Sequence, residues 1–173
     1  MLFRSWQIAT VQLDLTMLPE RFQLEYVDAD GQRKRPVAIH RAIFGSFERF
    51  IGVITEHFAG AFPTWLAPVQ ARVLPISVKH EDYAKQVYDK LRAAKVRAEL
   101  DNRNEKLGYR IRDAQVRKVP YMLVVGDRER EQGAVSLRHR SGDDLGAVPL
   151  DRVLADLARE ITARASTLTV GRA

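Results

Sequence analysis

The first third of the sequence carries polar side chains that could bind a nucleotide and a small substrate. Arg49 lies in a predicted helix, where a rigidly held guanidinium can stack on a purine base and balance phosphate charge. A surface ion pair with Glu48 or Glu56 is the alternative for it. His40 follows an apolar strand, and a lone histidine there is more often structural than a metal ligand. The remaining candidates are Gln7, Thr10, Gln12 and Ser46.

A second group of candidates is basic and lies in the latter half of the chain. Lys106, Arg110 and Arg117 are spaced at i, i+4 and i+11, so on a helix they could face one way. Asn104 lies just before them. Arginine and asparagine beside an aromatic such as Tyr109 suit unpaired bases, which are read by stacking and by hydrogen bonds to their exposed edges. The spacing alone leaves open that these charges are simply solvated.

The composition restricts which partners, which site chemistry and which cellular location the protein can have. The net charge is +6, the first 65 residues are balanced in charge, and the basic excess therefore follows residue 65, which favours a polyanionic partner such as nucleic acid. The absence of cysteine excludes disulfides and thiol chemistry, so a metal site would rest on histidine and carboxylate ligands. The sequence has neither a run of 18 apolar residues nor a secretory signal peptide, and we expect a cytoplasmic protein without membrane association.

The elements that must position the first group are three strands and a helix. Alternating apolar residues predict strands at TVQLDL, FQLEYV and PVAIH, and Asp30-Gly31 predicts the tip of a hairpin between the last two. Apolar residues at helical spacing predict a helix from Ile43 to Phe58. Gly45 and Gly52 lie within it, and each needs a reason such as close approach of another backbone or a ligand.

The segment AGAFPTWLAPVQ interrupts all periodicity and predicts a domain boundary. Beyond it, strands alternate with helices of 10 to 16 residues, which is typical of an α/β domain with a mixed sheet covered by helices. The predicted strands are RVLPI, VRAEL, YMLVVG and AVSLRHR, and the predicted helices are HEDYAKQVYDKLRAAK, EKLGYRIRDAQVRK and DRVLADLAREITAR.

Four segments, in order and with suitable gaps, resemble the C-terminal part of the threonyl-tRNA synthetase family: WQIATVQLDL with LPERF, HRAIFGSFERFIG, FAGAFPTWLAPVQ, and DNRNEKLGYRIRDAQVRKVPYMLVVGD. GSFERFIG alone is typical of any class II synthetase, whereas the TWLAPVQ junction points to the threonine enzymes. The resemblance implies an α/β chain in two parts. Residues 1–62 would be the α+β end of a class II catalytic domain, including its third motif, and residues 66–173 a mixed-sheet anticodon-binding domain.

The resemblance also implies roles for individual residues. Arg49 would pack over the adenine of ATP, and His40 would be one of three ligands to a zinc ion that binds the amino and hydroxyl groups of threonine. Gln7, Thr10 and Gln12 would line the adenylate and threonine pocket, with Ser46 at its floor. The residues expected to contact the anticodon are Asn104, Lys106, Lys118, Glu129 and Arg138. Lys118 replaces an arginine common in the family, and Ile8-Ala9 replaces a frequent Cys-Gly pair.

The function that the resemblance implies is that of a threonine–tRNA ligase, which activates threonine with ATP and transfers it to threonine tRNA, as a homodimer. The editing region, the first two class II motifs and the other two zinc ligands have no counterpart in these 173 residues. We therefore expect the fragment to recognise the anticodon but to bind neither ATP nor zinc tightly, and to be inactive alone. Two alternatives are a free-standing tRNA-binding module and an inactive product that associates through exposed strand edges.

Overall fold

The computed structural model describes residues 5–171, which divide into two compact units between His57 and Phe58. None of the helices in these residues is both long and apolar enough to cross a membrane. The elements of the first unit are β1 (Thr10–Asp14), α1 (Met17–Arg21), β2 (Tyr26–Val27), β3 (Arg33–Lys34), β4 (Ala38–Ala42) and α2 (Phe47–Phe58).

The first unit is built on two short antiparallel ladders. The predicted hairpin tip at Asp30-Gly31 is confirmed, but its strands are β2 and β3, so the prediction that PVAIH is the returning strand is wrong. The Lys34 ammonium pairs with the carboxylates of Asp28 and Asp30 and closes the turn early. Pro36 lacks a backbone donor and follows directly, which separates β3 from β4. β4 pairs with β1 instead.

The helix α2 begins four residues later than the apolar spacing predicts. Gly45 has a φ of +68°, in the left-handed region that an α-helix cannot include. Ser46 follows, and its hydroxyl accepts a hydrogen bond from the backbone N–H of Arg49 at 3.2 Å, which caps the first turn. The glycine therefore serves as a break before the helix. Gly52 lies inside the helix with open space around it.

The second unit is a five-stranded mixed sheet in the order β6-β5-β7-β8-β9, in which β5, β6 and β7 are parallel and β8 and β9 are antiparallel additions. This confirms the predicted fold class. Its elements are β5 (Ala71–Pro75), a 3-10 helix (Val78–His80), α3 (Glu81–Ala93), β6 (Ala98–Leu100), α4 (Leu107–Val116), β7 (Tyr121–Val125), α5 (Asp127–Gln132), β8 (Ala134–His139), β9 (Asp144–Pro149) and α6 (Leu150–Thr162).

Helices cover the two faces of this sheet unequally. On one face α3 and α6 bury side chains such as Leu91 and Leu157 against the sheet. On the other face α4 packs Ala114 over residues of β5 and β7, including Met122. The strands β5 and β7 are buried along their whole length, as expected for central parallel strands. The core on the α4 face includes no residue of β8 or β9 among those described, so this part of the sheet carries no helix.

Two elements of the second unit escaped prediction. The helix α5 has the sequence DREREQ, which contains no apolar residue and so has no periodicity to detect. The strand β9 contains Gly146, with a φ of +70°, and ends at Pro149; both residues are unusual in strands.

A buried carboxylate joins the carboxyl-terminal segment to the core. Glu160 on α6 is 2% exposed, and it accepts a hydrogen bond from the Tyr121 hydroxyl at 2.7 Å. The same oxygen accepts bonds from the backbone N–H and hydroxyl of Thr169, at 2.6 and 2.7 Å. Burial raises the pKa of Glu160, but contacts from Thr64, Thr169 and Tyr121 outweigh it and hold the pKa below its usual 4.5. The carboxylate is therefore charged and paired in the fold.

We expect Glu160→Gln to lower the free energy of unfolding by about 1.5–3 kcal/mol at neutral pH, because the donors from Tyr121 and Thr169 then meet a neutral amide oxygen instead of a charged acceptor. The folded-state pKa lies below the usual 4.5, so this contribution is complete above pH 4.5 and fades as the pH falls through the folded value. Urea unfolding across this range should show the deficit of the variant shrinking in acid. The exposed Glu131→Gln serves as control, and a deficit that stays constant with pH would contradict a role of the charge.

Candidate nucleic-acid interface

The carboxyl ends of β5, β6 and β7 meet at one edge of the sheet, here called the carboxyl edge. Three segments leave it: the 3-10 helix Val78–His80, the loop 101–106 and α5. Between the first two lies a cavity of about 380 Å³, with polar lining residues that include Ser77, Asn102, Asn104 and Glu105. In open α/β sheets this edge is where ligands commonly bind.

Arg110 is buried at this edge, which corrects the expectation that it faces outward with Lys106 and Arg117. It is 3% exposed, and its guanidinium donates to the backbone carbonyls of Pro75 at 2.7 Å, Asp101 at 2.8 Å and Glu105 at 3.1 Å. These carbonyls lie at the ends of β5 and β6 and in the loop before α4. Arg110 is therefore a structural tie, and helical spacing alone cannot distinguish it from a surface cation.

A second set of ion pairs holds the loop that precedes α4. Arg103 donates to Asp101 at 2.9 and 2.6 Å and to Asp113 on α4 at 2.9 Å. Burial raises the pKa of Asp101, but the hydrogen bonds and charge of Arg103 outweigh it and bring the pKa below its usual value. Asn104 and Lys106 are exposed on this loop, so their polar groups are available to a ligand on a backbone that is already ordered.

Glu129 is half-buried in the first turn of α5, also at the carboxyl edge. One of its carboxylate oxygens accepts the backbone N–H of Gly126 at 3.0 Å. Gly126 packs tightly on Ile76, since an added Cβ would lie 2.6 Å from the Ile76 Cδ1 atom. The other carboxylate oxygen takes no part in this bond, so it can accept a hydrogen bond from a ligand.

The remaining two predicted anticodon residues lie away from the carboxyl edge. Lys118 follows α4 near the opposite edge, exposed and with a left-handed φ of +60°. Arg138 is paired with Met122 across the β7–β8 ladder and half-exposed, and its guanidinium forms an ion pair with Asp144. Ser136 lies on the same face of β8 as Arg138, because the intervening residues Val135 and Leu137 are buried on the opposite face.

The five residues therefore do not form one cluster: Asn104 and Lys106 lie before α4, Lys118 follows it, Glu129 is on α5 and Arg138 is on β8. Ten residues of helix span about 15 Å. This separation is too large for one base, but it suits a loop of several nucleotides with splayed bases, which is the form of RNA that proteins read by sequence. The sequence prediction omits Ser136, although its position two residues before Arg138 on an alternating strand places both side chains on the same face.

The first unit brings its candidates together in two places. Gln12 is opposite His40 in the β1–β4 ladder, with Thr10 two residues earlier on the same face, and a cavity of about 610 Å³ lies beside Gln12 and His40. Elsewhere the Arg49 guanidinium donates to the backbone carbonyl of Gln7 at 3.4 Å, and the Ser46 hydroxyl caps the same helix. This contact replaces the surface ion pair considered for Arg49.

The described residues do not form a metal site. The Nε2 atom of His40 lies 4.0 Å from the Asp14 carboxylate, which is already engaged by the backbone N–H groups of Thr16, Met17 and Leu18. No group of three or more histidine, aspartate or glutamate side chains among residues 5–171 could hold a metal ion. Zinc sites use three or four protein ligands. His40 with Asp14 does not fit this requirement.

Two family profiles match the chain. The profile described as "Anticodon binding domain" matches residues 70–160, which is more than half of the chain. The profile described as "tRNA synthetase class II core domain (G, H, P, S and T)" matches residues 1–58.

Curated relatives match across both units. The threonine–tRNA ligase of Caldanaerobacter subterraneus subsp. tengcongensis is 60% identical over 162 residues, which are 94% of this chain and 25% of the relative. That of Acidithiobacillus ferrooxidans is 57% identical over 165 residues, 95% of this chain and 26% of the relative. The chain thus spans about a quarter of the length of these relatives.

Two solved structures share the fold. The RNA binding domain of threonyl-tRNA synthetase from Cryptosporidium parvum Iowa II has a TM-score of 0.77 at 39% identity, covering 90% of this chain and 40% of that one. Prolyl-tRNA synthetase from Cryptosporidium parvum, complexed with halofuginone and AMPPNP, has a TM-score of 0.70 at 23% identity, covering 91% and 34%.

We expect Arg110→Ala to lower the free energy of unfolding by about 2–4 kcal/mol, because three backbone carbonyls at the carboxyl edge lose their donor. The neighbouring Arg112→Ala removes the same charge from an exposed position of α4 and should change stability by less than about 0.5 kcal/mol. Urea unfolding of both variants measures the difference. Equal stability of the two variants would contradict the structural role of Arg110.

Proposed function

Because the chain belongs to the anticodon binding domain family and is homologous to threonyl-tRNA synthetases over nearly its whole length, we propose that residues 66–173 recognise the anticodon of threonine tRNA. The observation that carries this proposal is the set of polar side chains at both ends of α4, on α5 and on β8, where no described helix covers the sheet on the α4 face. The basic excess of the chain falls in this same part.

The five side chains differ in the hydrogen bonds and charges that they can offer to RNA. The Arg138 guanidinium can donate two parallel hydrogen bonds to a base edge, as arginine does to guanine. The Asn104 amide can donate and accept, and the Glu129 carboxylate accepts from a base amino or imino group. Lys106 and Lys118 are point charges suited to phosphate, which positions the RNA without reading its sequence. Recognition would therefore combine three base-reading groups with two that hold the backbone.

We propose that residues 1–62 are the end of a class II catalytic domain. The whole protein would then activate threonine with ATP and transfer it to threonine tRNA, as a cytoplasmic homodimer. Arg49 would stack on the adenine, and Gln7, Thr10, Gln12 and Ser46 would line the adenylate and threonine pocket. The exposed guanidinium of Arg49, held by the Gln7 carbonyl, is accessible for this stacking. The match of relatives across both units favours a synthetase over a free-standing RNA-binding module.

We expect Arg138→Ala to weaken binding of threonine tRNA by about 1–3 kcal/mol and to reduce discrimination against an altered anticodon. Arg159→Ala is the matched control, because it removes the same charge from α6 on the opposite face of the sheet. Filter binding with both tRNAs measures the effect, at several salt concentrations because the phosphate contribution falls steeply with salt. Equal, weak binding of both tRNAs to the unchanged protein would overturn the proposed anticodon recognition.

We expect the purified 173-residue polypeptide to show no threonine-dependent exchange of pyrophosphate into ATP. Its described residues supply one guanidinium for the nucleotide and no group of ligands that could hold a metal. A full-length threonine–tRNA ligase assayed in parallel is the positive control. Exchange above background by the polypeptide would show that these residues suffice for the chemistry.

A further inference from the structure

The helix α5 is attached to the second unit in an unusual way. It has six residues, and none of its side chains is buried. A helix this short has little stability of its own, and in proteins most helices are held by an apolar face that α5 lacks. Its position must therefore be set by contacts at its two ends. This matters because α5 carries Glu129.

One contact from the start of α3 lies just beyond the end of α5, and one from the residue before α3 lies at the first residue of α5. At the carboxyl-terminal end, the Tyr83 hydroxyl donates to the backbone carbonyl of Ala134 at 2.8 Å. Ala134 directly follows Gly133, which ends α5 with a left-handed φ of +61°. At the amino-terminal end, the His80 Nε2 atom lies 3.2 Å from an oxygen of Asp127, the first residue of α5.

The hydrogen bonds of His80 determine which ring nitrogen carries the proton in the neutral side chain. The side chain is buried, and its Nδ1 atom accepts the backbone N–H of Ser77 at 3.2 Å, so in the neutral ring the proton is on Nε2. Nε2 is buried and makes no well-aligned hydrogen bond, and the Asp127 carboxylate is the acceptor beside it. The Asp127 side chain is 67% exposed, so a rotation can bring its oxygen into line with the Nε2–H group.

The Tyr83 hydroxyl remains a donor in this environment. Burial, and then the negative charges of Glu129 and Asp151, raise the pKa of the Tyr83 hydroxyl. The phenol therefore stays protonated and donates to Ala134.

We propose that Tyr83 and His80 are positioning residues: His80 holds the first residue of α5, Tyr83 holds the strand residue that follows α5, and together they orient Glu129 toward one anticodon base. This inference rests on the anticodon recognition proposed above. Neither residue needs to touch the RNA, because Tyr83 acts through the backbone of Ala134 and His80 acts through the side chain of Asp127.

Tyr83→Phe tests the inference at one end of α5, because it removes a single hydroxyl. The assay is filter binding of threonine tRNA and of three variants, each with one anticodon base changed. We expect discrimination to fall about three- to tenfold, the worth of one hydrogen bond, at the base that Glu129→Ala also affects. Discrimination at the other two bases should stay unchanged. Gln86→Ala, an exposed neutral change one turn later on α3, is the control.

Asp127 offers a charge-matched pair of variants for the other end. Asp127→Ala and Asp127→Asn both remove one negative charge, but only asparagine keeps an oxygen that can accept from His80. We expect alanine to reduce discrimination at the same base and asparagine to retain most of it. Equal loss in both variants would mean that the charge matters and that the contact with His80 does not.

Double variants separate action through Glu129 from general weakening of the structure. Tyr83→Phe combined with Glu129→Ala should discriminate no worse than Glu129→Ala alone, since both changes affect one interaction. Additive losses, or losses at all three anticodon bases, would overturn the positioning role while leaving anticodon recognition intact. Equal binding of all four tRNAs by the unchanged protein would overturn the proposed function and this inference with it.

Discussion

The buried guanidinium of Arg110 is the interaction on which the arrangement of the carboxyl edge depends. It comes from α4, and its three acceptors are carbonyls of Pro75, Asp101 and Glu105. These groups end two parallel strands and lie in the loop that starts α4, where no ladder partner remains for them. A planar cation with five donors can bind three diverging carbonyls at once, which lysine cannot do. The loop that carries Asn104 and Lys106 is thereby ordered by contacts within the protein itself.

The opposite end of the second unit uses a buried anion for a similar purpose. The Glu160 carboxylate collects donors from β7 and from residues 169–170, and the Arg140 guanidinium binds the carbonyls of Ala61 and Phe62. The segments at both ends of this unit's chain are thus tied to the sheet by charged hydrogen bonds. Charge-assisted bonds are costly to break once buried.

The local pattern of apolar and polar residues predicts much of this fold. It fails where the role of a side chain depends on backbone groups that are far away in the sequence. The central strands are nearly continuous apolar runs, so RVLPI and YMLVVG could be located within a residue. The helix α5 has no apolar residue, and its placement depends on contacts with residues distant in the chain, such as His80, that no local pattern encodes. Arg110 was misassigned for the same reason: its carbonyl acceptors include Pro75, 35 positions away. The hairpin at Asp30-Gly31 was located by its turn, but the pairing of β4 with β1 is a long-range choice.

The two units differ in how rigidly their own buried residues hold the candidate site residues in place. In the second unit, two apolar clusters bury the central strands, so the residues beside α4 are displayed on a rigid sheet. In the first unit, Pro19 is the one buried residue among positions 5–57. The β1–β4 ladder has Gln12 and His40 on one face, whereas Leu13 and Ile39 on the other are 66% and 68% exposed. A two-stranded ladder with an uncovered apolar face is marginal in water. The geometry of the proposed interface is therefore built into the second unit itself, whereas precise placement of Arg49 and His40 requires a covering for that apolar face.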